Sequence, residues 1–132
     1  MLENRRHEPV PTTPQAKRRS EVAIDLVHLA AQCRGDKDLE HELLRLFRIQ
    51  VLDALRELPA SLVDPEGHVG ALAHKLRGSA LAVGAGRMAR AAGRVEALAR
   101  EATRNTETET RATDEFEASL REAVAEIDRL QA

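Results

Sequence analysis

Between Asp36 and Pro59, large apolar residues return every three or four positions: Leu39, Leu43, Leu46, Phe47, Ile49, Val51, Leu52 and Leu55. That interval is the repeat of an α-helix, and the stripe it draws has to be buried against another element. Asp36 is placed to cap this helix, and the Leu58-Pro59 step is expected to break it. The same interval recurs downstream. A helix is expected from about Pro65, with Asp64 as cap, to Val83, closed by Gly84 in a Gly84-Ala85-Gly86 turn. Another is expected from about Arg87 to Ala102, with Met88, Ala91, Ala92, Val95 and Leu98 facing inward. The last is expected from about Asp114 to Gln131, with Phe116, Leu120, Val124, Ile127 and Leu130 as its stripe. The threonine-rich "TRNTETET" before it reads as a loop or frayed end. A shorter helix should precede all four, capped by Ser20, carrying Val22, Ile24, Leu26, Val27 and Leu29, and ending near Gly35. No stretch alternates as a strand would. Four amphipathic helices with short connections imply an all-α fold: an antiparallel up-down four-helix bundle with a short additional N-terminal helix. Residues 20–132 form that bundle. Residues 1–19, with Pro9, Pro11, Pro14 and many charges, are expected to be a flexible, basic tail.

The core of such a bundle must be aliphatic, because the chain has no Trp or Tyr and only two Phe among its 132 residues. Its single cysteine, Cys33, excludes an internal disulfide and a thiolate zinc cluster, and reads as a small buried hydrophobe. The N-terminus has no apolar signal-peptide core and no run is long enough to span a membrane. A cytoplasmic protein that does not engage the membrane is therefore expected. A formal net charge of −2 argues against a general nucleic-acid binder. The mean conceals a pattern. Residues 74–100 hold six cations and one anion, whereas the segments on both sides are strongly acidic.

The basic block opens at His74. Val69, Leu72, Ala73, Leu76, Ala80 and Val83 define the core face of the third helix. His74 lies about 200° around from Leu72 and Leu76, so it should face solvent. Its surface neighbours, three and four residues away, are Gly70, Ala71, Arg77 and Gly78. Glycine inside a helix costs about 1 kcal/mol relative to alanine. Two such residues around an exposed histidine suggest bare backbone that lets another protein approach the imidazole. Arg77 can hold an anion placed on the ring. If the Gly84-Ala85 turn reverses the chain, Arg94 should come level with His74. Arg87, Arg90 and Arg94 form one stripe, so Arg90 and Arg94 are candidate contact residues. His7, His28, His41 and His68 have no spacing that suggests a metal site, and none is expected. "GAGRMA" lacks the full pattern of a nucleotide-binding loop and has no strand before it.

The stretch "AHKLRGSALAVGA" resembles the signature of histidine-containing phosphotransfer (HPt) domains. The matching residues are His74, Leu76, Arg77, Gly78, Ser79, Gly84 and Ala85. Upstream, "IDLVHLAAQCRGDKDLEHELLRLF" resembles the family's first segment, and the likeness extends over residues 22–130. The cation three after the histidine is often Lys in the family and is Arg77 here, which keeps the charge and changes the geometry. The resemblance implies a phosphoryl carrier without kinase activity of its own. His74 would accept the group from an aspartate, through Nε2, and pass it to an aspartate on another receiver. Arg77 would stabilise the phosphate, Gly78 would give steric access, Lys75 would support docking and Ser79 would orient the site. The implied partners are receiver domains of response regulators or of a hybrid histidine kinase. No cofactor of its own is implied, the Mg ion coming with the receiver. A monomer is expected, since the bundle consumes the apolar stripes. The competing reading from another class is an HPt-like helical adaptor that binds signalling partners without phosphotransfer.

Overall fold

A computed structural model of the chain describes residues 22–64, 67–101 and 105–132. The basic tail, Ser20 and Pro65 lie outside these residues. The described residues form five helices and no strand: α1 (Leu26–Gln32), α2 (Lys37–Leu62), α3 (His68–Val83), α4 (Gly86–Ala99) and α5 (Thr106–Leu130). The last four pack in chain order, α2 on α3, α3 on α4 and α4 on α5, and α5 closes back onto α2. Neighbours run antiparallel. Arg48 in the first half of α2 pairs with Asp128 near the end of α5, and Arg87 and Arg94 of α4 meet Glu122 and Glu115 of α5 in reverse order. The short α1 lies across one end, against α2 and α3.

The stripes read for α3, α4 and α5 lie on the buried faces, with Phe116, Leu120, Ala123 and Ile127 lining the inside of α5. In α2 the expected stripe is too wide: Phe47 and Val51 are buried, Leu39, Leu46 and Ile49 are exposed, and Leu44, Ala54 and Leu58 complete the inner face. Phe116, Leu29, Leu120 and Ile127 are fully inaccessible. Each such side chain contributes about 1.5–3 kcal/mol on burial, so aliphatic packing carries the fold. Cys33 is buried, and burial, with Glu40 and then Asp36 nearby, pushes its thiol above the ordinary range. No helix among the described residues is long and apolar enough to cross a membrane.

Several boundaries differ from the sequence expectation, each for a local reason. The first helix begins at Leu26, because Asp25 accepts from the Val27 and His28 amides at 3.0 and 3.1 Å and takes the cap position. The Asp25 amide in turn donates to the Gly84 carbonyl at 2.9 Å, which ties α1 to the end of α3. Pro59 does not end α2. The helix runs on to Leu62 because Leu58 and Ser61 are both buried against the bundle, and the Ser61 hydroxyl donates to the Leu58 carbonyl. Packing here outweighs the one hydrogen bond that proline removes. The third helix starts at His68, with Gly67 rather than Asp64 in the cap position, in a left-handed conformation (φ 73°). The fourth spans Gly86–Ala99 with Arg100 as C-cap; the expected end at Ala102 falls outside the described residues. The largest difference is in α5. Much of "TRNTETET" is helical, because Asn105 caps the Thr108 amide at 3.1 Å and Glu107 and Glu109 sit in the first turn, where the helix dipole favours anions.

Candidate functional site

Ala73, Leu76 and Ala80 are buried almost completely and fix the rotation of α3. With that phase set, His74 projects outward and its side chain is 65% exposed. The chain reverses within two residues at Gly84 and Ala85, so α4 returns directly beside α3. The two helices approach so closely that a Cβ on Gly70 would lie 2.8 Å from that of Ala99. Gly70 therefore serves helix packing, and it also lines the concavity beside His74.

The residue of α4 that meets His74 is Glu96. Its side chain is only 5% exposed, and its Oε2 lies 2.5 Å from His74 Nδ1. The same oxygen accepts from Arg100 Nη2 at 2.7 Å. Arg77 Nη1 stands 3.3 Å from Oε1, within ion-pair range, while Oε1 itself is buried and takes no hydrogen bond. The stem of Arg77 reaches this position across Gly93, where a Cβ would lie 3.8 Å from its Cδ. The hydrogen bond from His74 holds the Glu96 carboxyl below the usual range, helped by the charges of Arg77 and Arg100 and opposed by burial.

An ionised carboxylate only accepts hydrogen bonds, so the contact assigns the proton of a neutral His74 ring to Nδ1. Nε2 is then left with its lone pair, on the exposed side of the ring. The arrangement suits a nucleophile: one nitrogen held from beneath, the other free, and two guanidinium groups within reach. A shallow concavity of about 430 Å³ lies beside the ring, with Ala71, Ala99 and Arg100 among its walls.

The other expected site residues divide. Gly78 faces open space, with no atom within 4 Å of where a Cβ would be. Ala71 and Lys75 are exposed, and both line a second concavity between α2 and α3 that also includes Glu57 and Asp64. Ser79 is half-buried, and the bond from the ring goes to Glu96 rather than to it. Arg94, expected level with His74, donates to Glu115 at 2.6 Å and so faces α5. Arg90 is exposed beside Gly86, at the start of α4. The turn argument fixed height along α4 but not rotation about it, and Glu96, two residues on from Arg94, points the other way. Glu96 and Arg100 were missed in the sequence. The available signal was that Glu96 is the lone acid among residues 74–100 and lies four residues after Ala92, on the inward face.

Comparison with curated proteins and with solved structures gives no match. Among the described residues, no group of three or more His, Cys, Asp or Glu side chains could hold a metal ion. Comparison with protein families matches the Hpt domain over residues 42–132, which includes His74, Arg77, Glu96 and Arg100 and most of the bundle, and leaves α1 outside. The chain thus belongs to the Hpt domain family, whose members serve phosphotransfer in two-component signalling.

Proposed function

We propose that His74 relays a phosphoryl group between aspartates of receiver domains by way of a phosphohistidine. The observation that carries this reading is the ring held by Nδ1 on a buried carboxylate, with Nε2 turned outward. The Nε2 lone pair attacks phosphorus as the bond from phosphorus to the aspartyl oxygen breaks, and the carboxylate leaves with that electron pair. No proton needs to move. The ring becomes positively charged with its proton still on Nδ1, and Glu96 stabilises that charge. The donating step is the reverse, on a second receiver.

Phosphoryl transfer has a loose transition state, so positioning and charge stabilisation supply most of the catalysis. Arg77 supports the transferring group. It pairs with Glu96 only loosely and can turn to the phosphate, one helical turn from the ring. The surface around His74 suits a partner with an anionic site. No residue of α3 is acidic, and Lys75 and Arg77 flank the ring. Gly78 leaves the backbone open, and Leu81, 57% exposed and two turns beyond His74 on the same side, offers an apolar contact. Lys75 and Ala71 belong to this docking face. The reading assigns no cofactor to this chain, the divalent cation being carried by the receiver.

The test is incubation with an aspartate-phosphorylated receiver domain. Transfer of the label to the parent protein and its loss in His74→Gln are expected. Label that persists in the variant would overturn the assignment, and a receiver that binds without transferring would favour the adaptor reading.

A further inference from the structure

A carboxylate against an imidazole orients the ring and stabilises the cation formed on phosphorylation. It does both only while the carboxylate itself is held, and Glu96 is held from more than one side. Arg100 Nη2 bonds the same Oε2 that His74 Nδ1 bonds, at 2.7 and 2.5 Å. The guanidinium therefore lies within about 5 Å of the ring nitrogen, a range at which like charges interact appreciably near a protein surface. Arg77 acts on the other oxygen from α3. Glu96 and Arg100 are the charged groups of the concavity beside the ring; Lys75 sits on the α2 side, towards Glu57 and the Asp64–His68 pair.

We infer that Arg100 is a positioning residue: by sharing Oε2 of Glu96 with His74, it holds the carboxylate in place beneath Nδ1, so that the neutral ring keeps its proton there and its lone pair on Nε2. Arg77 cannot serve this purpose throughout the reaction, because in the proposed mechanism it turns to the phosphate. Arg100 is then the guanidinium still bonded to Glu96, at the end of α4 and 72% exposed. Sequence position gives no hint of the role, since Arg100 is 26 residues from His74 and reads as an ordinary helix-terminal cation.

The inference rests on His74 being the phosphoryl carrier, and its test separates the two. The ring nitrogens of His74 are read by nitrogen-edited NMR at alkaline pH in the parent, Arg100→Gln, Arg100→Lys and Arg45→Gln proteins. The last removes the same charge from an exposed pair with Glu42 on α2. The parent ring should carry its proton on Nδ1, and the share of that tautomer should fall in Arg100→Gln and stay near the parent value in Arg100→Lys and Arg45→Gln. Labelling by phosphoramidate, which needs no receiver, should slow about three- to tenfold in Arg100→Gln and recover in Arg100→Lys. An unchanged Nδ1–H share in Arg100→Gln, or an equal fall in Arg45→Gln, would overturn the inference. A parent protein that takes no label at His74 would overturn the phosphocarrier reading, while the tautomer shares would still decide the role of Arg100.

Discussion

At the scale of single residues, the site is an exposed ring on a buried acid. The phase of α3 made the exposure of His74 legible, because six apolar neighbours fix which way the helix faces. Nothing in the periodicity exposed Glu96. A charged residue on an inward face reads as an interruption of the stripe until its partners are placed, and those partners lie on two different helices. Glu96 also links the site to stability. Its carboxyl is held below the usual value of 4.5, chiefly by the hydrogen bond from His74, so the folded state binds that proton less readily than the unfolded chain. Its contribution is complete above the unfolded value and is lost as pH falls from there through the lower folded value. Glu96→Gln lacks this titration. Urea unfolding of parent and variant should therefore show a stability difference that narrows as pH drops below about 4.5, and a constant difference would count against the proposed pairing. Transfer by Glu96→Gln should slow on the order of tenfold, the difference of about 1–1.5 kcal/mol between a charge-assisted and a neutral hydrogen bond.

At the scale of elements, three glycines near the site do different work. Gly84 closes α3 at φ 84°, where a Cβ would stand 2.9 Å from the Asp25 carbonyl. Gly70 admits α4, and Gly78 faces open space. The sequence marked all three and treated Gly70 and Gly78 alike, because both are neighbours of His74 on one helix surface. The presence of a second helix over one of them depends on the rotation of α4, which the sequence did not reveal. Alanine substitutions should separate the pair. Gly70→Ala should destabilise, since its new Cβ meets that of Ala99. Gly78→Ala should stabilise by up to about 1 kcal/mol through helix propensity and slow transfer from a receiver by obstructing its approach. Thermal unfolding and transfer rates of the two variants check both signs. Helix ends, and the face of α2, were read less well than the faces of α3, α4 and α5. Pro59 and the threonines after Asn105 are locally unfavourable in a helix, and tertiary packing and a side-chain cap override that preference.

At the scale of the whole molecule, four aliphatic stripes sufficed to specify the bundle, since burying all four leaves few arrangements once the connections are short. The turn at Gly84 then does more than reverse the chain. It lays α4 along α3 so that a carboxylate from one helix supports a histidine on the other, and α1 is tied to the same turn through Asp25. The proposed function depends on that assembly holding Nδ1 and leaving Nε2 free. The measurement that tests this most directly is the position of the phosphoryl group. Protein labelled by a phosphorylated receiver is examined by nitrogen-edited NMR of the His74 ring, alongside His74→Gln. A single acid-labile, base-stable phosphate on Nε2 of His74, absent from the variant, is expected. Phosphate on Nδ1, or on any other side chain, would contradict the mechanism.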